Sequence, residues 1–189
     1  MSNNLRAVND NQLRWDDLQV SIGRVIFPGV SDPTWRLYNH GIGGGVTFDV
    51  LGFAVGDYVD FDVQTTHSMK LNTVLDCHIH YILPNTTTIG HTFKFQLDVI
   101  AAGIDGQFAV PTGSPFTAET TVAANDDSYH RLFDIADIPA SNTTVSSMYT
   151  CRLTRIASSG TEYGSEVYLK YIDCHYQKDD SGSQSEMVK

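Results

Sequence analysis

The chain has 189 residues, of which 41% are hydrophobic and 18% charged, and its 12 Lys and Arg stand against 22 Asp and Glu for a net charge of −10. That length suits one domain, with a core large enough to need no disulfide or metal staple. The acidic balance argues against a nucleic-acid-binding protein, which needs a basic stripe to neutralise phosphates, and no run of about 18 apolar residues is present to span a membrane as a helix.

Residues 1–14 are polar and read as an arm, with Leu5, Val8 and Leu13 as its apolar anchors. They lack the basic-then-apolar order of a secretory leader, so synthesis and folding in a cytoplasm are expected. Residues 15–177 read as one domain. An apolar spacing near 3.6 never persists there for a dozen residues, whereas period two recurs. Thr (18), Val (16) and Phe plus Tyr (18) are the residues that suit a pleated surface. The strand candidates, in order, are 18–27, 46–54, 57–66, 71–83, 91–101, 117–123, 129–135, 144–156 and 165–177. In the third, Val59, Phe61 and Val63 share one face and Tyr58, Asp60, Asp62 and Gln64 the other. In the fourth, Leu75, Cys77, Ile79, Tyr81 and Leu83 alternate with Asp76, His78 and His80; in the fifth, Phe93, Phe95, Leu97 and Val99 form the apolar face. The segments 148–156 and 166–177 alternate less cleanly. Breakers separate the runs: Pro28-Gly29, residues 41–45, Pro84-Asn85, residues 103–106, Asn125-Asp126-Asp127, Pro139 and residues 158–160. Eight or nine strands at this spacing predict an all-β fold, a jelly-roll β-sandwich of about eight strands. Residues 178–189 are polar and read as a tail.

The chemical candidates lie mostly on the fourth and last strands. Cys77, Cys151 and Cys174 fall inside strand runs; three widely spaced cysteines make neither a disulfide framework nor a zinc motif, so buried free thiols are expected. His78 and His80, two apart on a strand, point to one face and offer imidazoles to a metal ion, as the H-x-H pair of cupins does. The glutamate that such a pattern wants a few residues later is missing, since Pro84 and Asn85 stand there, and His175 is the third ligand on hand. A polar sheet face with paired histidines is therefore the preferred reading, with no metal and no cofactor. Asp173 and His175 repeat the theme. In a jelly roll the last strand lies beside the fourth, which puts Asp76, His78 and His80 next to Asp173 and His175. On a flat face this patch reads as a subunit contact whose charge follows pH; in a cleft it would suggest acid–base chemistry.

The other motifs carry less. The glycines at 41–45 lack the Lys-Ser/Thr of a phosphate loop and read as a turn. Residues 125–128 read as a solvated turn rather than a calcium loop, and Asp60 and Asp62 as a solvated pair. The sequons at Asn85 and Asn142 imply nothing without secretion. No nucleophile elbow or activated cysteine is evident, so no enzyme is expected. Trp15 and Trp35 are the candidates for stacking on a sugar.

The order of several phrases adds to this. Trp15-Asp16-Asp17-Leu18-Gln19-Val20 opens the domain, followed by Pro28-Gly29 and Asp32-Pro33-Thr34-Trp35. His78-Ile79-His80-Tyr81 stands in the middle, then Ser146-Ser147-Met148 with Cys151-Arg152-Leu153. His175-Tyr176-Gln177-Lys178-Asp179 leads to a close at Glu186-Met187-Val188-Lys189. This series resembles, over nearly the whole chain, a family of small structural proteins encoded among the virion genes of tailed bacteriophages. The resemblance implies a trimeric jelly roll on the outer surface of capsid or tail, made in the host bacterial cytoplasm. Its partners would be two further copies and the major capsid protein or another virion protein. It brings no catalytic residues, and it assigns His78, His80 and His175 to the fold or its contacts. Cys174 departs from it, standing where a large apolar residue is expected. A capsid cement protein is the first expectation. A tail or fibre module binding a host-surface glycan, and a cupin-like metalloenzyme using His78 and His80, are the alternatives.

Overall fold

The structure, a computed structural model, describes residues 14–39, 45–84, 88–139 and 144–178. Alternating apolar residues in these segments pleat into ten strands, with no helix among the described residues. They are β1 (Trp15–Ser21), β2 (Thr34–Tyr38), β3 (Phe48–Phe53), β4 (Tyr58–Gln64), β5 (Leu75–Ile82), β6 (Thr92–Ala102), β7 (Phe116–Thr121), β8 (Arg131–Ile138), β9 (Met148–Ile156) and β10 (Val167–Gln177). One sheet has the order β2-β3-β10-β5-β8, with β1 also beside β10; the other has the order β4-β9-β6-β7. Strands β3 to β10 thus fill two four-stranded sheets in jelly-roll order, β3-β10-β5-β8 against β4-β9-β6-β7, and β1 and β2 are additions to the first sheet.

The core lies where period two said it would. Val59, Phe61, Leu75, Ile79, Phe93, Phe95 and Leu97 are almost fully buried between the sheets. Aromatic rings cross the interface edge to face. Phe93 of β6 meets Tyr81 of β5 at 5.2 Å and Phe133 of β8 at 5.8 Å, and Phe95 meets Phe53 at 5.7 Å.

Several sequence expectations need correction. Strand β2 was not anticipated: its four residues from Thr34 to Leu37 are all exposed, so no covered face imposes an alternation to read. The first strand expected at 18–27 stops at Ser21, where the Arg24 N–H turns back to the Ser21 carbonyl. The expectation of three free thiols holds for Cys151 alone. Cys77 and Cys174 stand directly opposite each other on β5 and β10, with Cα atoms 4.2 Å apart, and form a disulfide. A separation of 97 residues in sequence hides this pairing. The turn at 125–128 is not simply solvated, because Asp126 is buried. Its carboxylate accepts from the Ala123 N–H and the Arg131 Nε. Asp60 and Asp62 are engaged as well, Asp60 by Nε and Nη2 of Arg152 and Asp62 by the Thr150 hydroxyl. Leu5, Val8 and Leu13 of the arm, the glycines up to 44, both sequon asparagines and the tail beyond Lys178 lie outside the described residues.

Candidate functional site

The outer face of the first sheet gathers most of the titratable side chains singled out from the sequence. In the β5–β10 register His78 is opposite Asp173 and Asp76 is opposite His175. Asp76, His78 and His80 therefore do lie beside Asp173 and His175. The strand bearing the histidines is the third of the eight-stranded roll rather than the fourth, and its neighbour is the expected one. Two strands that the sequence did not connect complete the patch. β1 sets Asp17 against His175, and β8 sets Asp134 against His78 and Asp137 against Asp76. Both β10 and β8 carry a bulge here, at Lys170 and at Ile135, which leaves one residue unpaired and turns the neighbouring side chains.

An outward position on a strand normally meets water, but His78 is only 1% exposed and Asp173 only 3%. Other rings cover them. The His175 ring is 4.3 Å from that of His78, edge to face, and the His80 ring is 5.0 Å from it. His130, from the loop before β8, stacks on His80 at 4.8 Å and its Nε2 is 2.6 Å from His80 Nδ1. His175 Nε2 reaches Asp17 Oδ1 at 2.9 Å. The inner pair is looser: Asp173 Oδ2 lies 3.9 Å from His78 Nε2 and 3.6 Å from His80 Nε2, too far for hydrogen bonds. Both ring nitrogens of His78, Nε2 of His80 and Oδ1 of Asp173 are buried without a hydrogen-bond partner. Burial, reinforced by the His175 ring, lowers the pKa of His78; burial, with His78 and His130 beside it, lowers that of His80. Burial and the neighbouring Asp134 and Asp137 raise that of Asp76.

Sequence reasoning missed His130 and Asp17 as members of the cluster. Fifty residues separate His130 from His80, and no spacing rule spans that gap. The β1–β10 pairing that brings Asp17 in could be found only by pairing the first strand with the last.

The second sheet carries a cleft of about 600 Å³ on its outer face, bordered by Asp60, Asp98, Ile100, Val110, Pro115 and Arg152. Cys151 borders it too, with its thiol pushed up to about 12 by burial. Trp15 and Trp35 are both about half exposed but do not share a platform. Trp15 is on the same face as Asp17. Trp35 is in register with the core residue Leu51, on the opposite face, and packs on Phe27 at 6.2 Å.

No family model matches the chain, and no curated protein matches it. Among solved structures it is similar to the mosquito-larvicidal Cry4Aa toxin from Bacillus thuringiensis, with 11% identity over 86% of this chain and a TM-score of 0.43. It is also similar to the infectious bursal disease virus VP2 subviral particle, with 11% identity over 89% of this chain and a TM-score of 0.36. The chain spans only 24% and 34% of those two proteins. A non-crystalline-cellulose-specific carbohydrate-binding module aligns with 84% of this chain and 93% of its own length, at 10% identity and a TM-score of 0.30. These likenesses are too loose to transfer a function.

Proposed function

We propose that this chain is a structural protein of a tailed-bacteriophage particle, a trimeric cement protein on the outside of the capsid, with no catalytic role. The observation that carries this reading is where the described chain ends leave the domain. Trp15 is opposite Gln177, and the Lys178 N–H donates to the Arg14 carbonyl at 2.7 Å. Arm and tail therefore depart side by side, from one corner of one sheet, and can reach the same neighbour. Segments that order on binding cover much surface for their length. The added strand β2 supports the same reading. Its Trp35 and Leu37 side chains, which share the face of Leu51 beyond the cover of the other sheet, are 48% and 68% exposed, and apolar side chains on an edge strand are a natural place for another subunit. A three-fold site between capsomers calls for a three-fold ligand, and a stable contact needs about 800 Å² per partner. The ordered phrases that resemble tailed-phage virion proteins supply the setting.

On the histidine face, His78 and Asp173 are already buried within one chain, so a partner meets Asp17, Asp134 and His175 instead. Against catalysis at the cleft stands Cys151, whose thiol is pushed up to about 12 by burial, so that it is no attacking group at neutral pH, while the two hydroxyls there are engaged, Ser114 by the Val99 N–H and Thr150 by Asp62. Light scattering on the purified chain and electron microscopy of particles with and without it test the proposal. A trimer that occupies three-fold positions on the shell is expected; a monomer with no affinity for shells overturns it. The glycan reading has one observation in its favour, the cleft beside Arg152. None of the residues lining that cleft is aromatic, so a sugar ring has nothing there to stack on. A glycan array probed with the isolated chain is expected to stay blank.

A further inference from the structure

We infer that the outer face of β5 and β10 is a binding site for one divalent transition-metal cation of the zinc class, held by His78, His80 and Asp173. The inference does not depend on the protein's place in a particle.

Geometry comes first. Nε2 of His78 and Nε2 of His80 flank the same carboxylate oxygen of Asp173, at 3.9 and 3.6 Å. A tetrahedral zinc with bonds of about 2.0–2.1 Å sets its ligand atoms about 3.3 Å apart. The carboxylate oxygen needs to close on each imidazole by only a few tenths of an ångström, and the three donors lie within 4.8 Å of one another. The sequence reading set the metal aside because no glutamate follows the H-x-H pair along β5. The carboxylate comes instead from across the ladder, from the residue in register with His78.

Satisfaction comes second. Buried polar groups are paired as a rule. Here a histidine that is 1% exposed has both ring nitrogens unpartnered, and Nε2 of His80 and Oδ1 of the 3% exposed Asp173 are unpartnered beside it. A cation bound to Nε2 of both rings and to Oδ2 of the carboxylate gives a partner to both of these nitrogens, which the protein leaves unmatched, and sits beside the unmatched Oδ1.

The surroundings agree. Metal-ligating histidines characteristically bond their other ring nitrogen to an outer partner. His80 does so through Nδ1, 2.6 Å from His130 Nε2. With the proton on that Nδ1, the lone pair of Nε2 faces Asp173. Asp17, Asp76, Asp134 and Asp137 border the patch, and the residues in register with its members on β1, β5, β8 and β10 include no Lys or Arg to balance them. Two imidazoles select against Mg²⁺ and Ca²⁺, which take oxygen cages. The scaffold is stiff at this point, because the Cys77–Cys174 disulfide ties the two strands at the pair adjacent to His78 and Asp173.

The full chain, stripped with a chelator and dialysed, should be titrated with Zn²⁺ by calorimetry and with Co²⁺ by visible absorption. One equivalent per chain is expected, with Co²⁺ bands in the visible. His78→Ala and His80→Ala should each abolish binding, and His67→Ala, in the turn after β4, should leave it unchanged. His130→Ala should keep the stoichiometry and weaken affinity about 10- to 100-fold, the usual cost of losing an outer partner. Because His78→Ala removes a buried ring and so perturbs folding as well as binding, the wild type is also followed by histidine nitrogen NMR. Zn²⁺ should move the Nε2 resonances of His78 and His80. Binding that survives both alanine variants, shifts confined to other histidines, or no binding at micromolar metal overturns the inference.

Discussion

Arg155 sits at an inward position of β9, only 1% exposed, and closes one end of the sandwich. Its Nη1 donates to the carbonyls of Phe53 and Ser165 at 2.7 and 2.6 Å, and its Nη2 to the Tyr163 carbonyl and to Glu162 Oε1 at 2.8 Å. One fork thus ties β3 and β9 to the loop before β10. Removing one partner of a buried ion pair strands the rest, so Arg155→Met should cost about 3–5 kcal/mol in urea unfolding. Arg155→Lys should recover little, because a single ammonium cannot span four acceptors. Three other buried side chains predict alkaline sensitivity. Burial pushes Cys151, Tyr149 and Tyr81 each to about 12, from ordinary values of 9.0 for the thiol and 10.0 for the phenols. The fold holds the protonated forms, so their contribution is complete below about pH 9. It is lost as pH rises toward 12, where the unfolded chain has already released its protons. The urea midpoint should be flat from pH 7 to 8.5 and fall steadily above pH 9; a midpoint unchanged at pH 11 contradicts this.

The pairing of β5 with β10 carries both the disulfide and the histidine cluster, and it shows what a sequence can and cannot reveal. Alternation in 58–64, 75–83 and 92–99 was plain because one face of each strand is covered by the other sheet. The β9 pattern looked imperfect because an arginine occupies an inner position, which no hydrophobic pattern allows for. β2 left no pattern because neither of its faces is well covered. The neighbours of His78, His80, Asp173 and His175 were legible, since jelly-roll order fixes which strand lies beside the last. Their burial was not, because it comes from rings packing on rings across three strands rather than from either sheet's inner face. The disulfide also needed the register. Cysteines at 77 and 174 become partners only once both strands are aligned residue by residue. Replacing both with Ala should lower stability by about 2–4 kcal/mol, mainly by freeing the unfolded chain. Melting with and without reductant checks it: the wild type should fall toward the double variant under reductant, and the double variant should not respond.

At the scale of the molecule, the two added strands lie on one sheet while the other sheet keeps its four strands. The domain is therefore lopsided: β1, β2 and the described ends at Arg14 and Lys178 are all on the side of the sheet that bears the histidine face. A cement protein built this way would hold its shell chiefly through that side, with the arm as the reach. Deleting residues 1–13 keeps Arg14, whose carbonyl accepts the Lys178 N–H, so β1 and β10 retain their closing bond. The melting temperature should stay within the small range of surface changes. Shell occupancy should nevertheless fall at least about tenfold at fixed protein concentration, or about 1.4 kcal/mol. That loss is modest for three apolar anchors, Leu5, Val8 and Leu13, because fixing backbone and side chains in a contact offsets much of what burial contributes. If the truncated protein decorates shells as fully as the intact one, the arm is not the contact. The exposed edge of β2, with Trp35 and Leu37, would then have to carry the assembly alone, and Leu37→Asp in the truncated background should remove it.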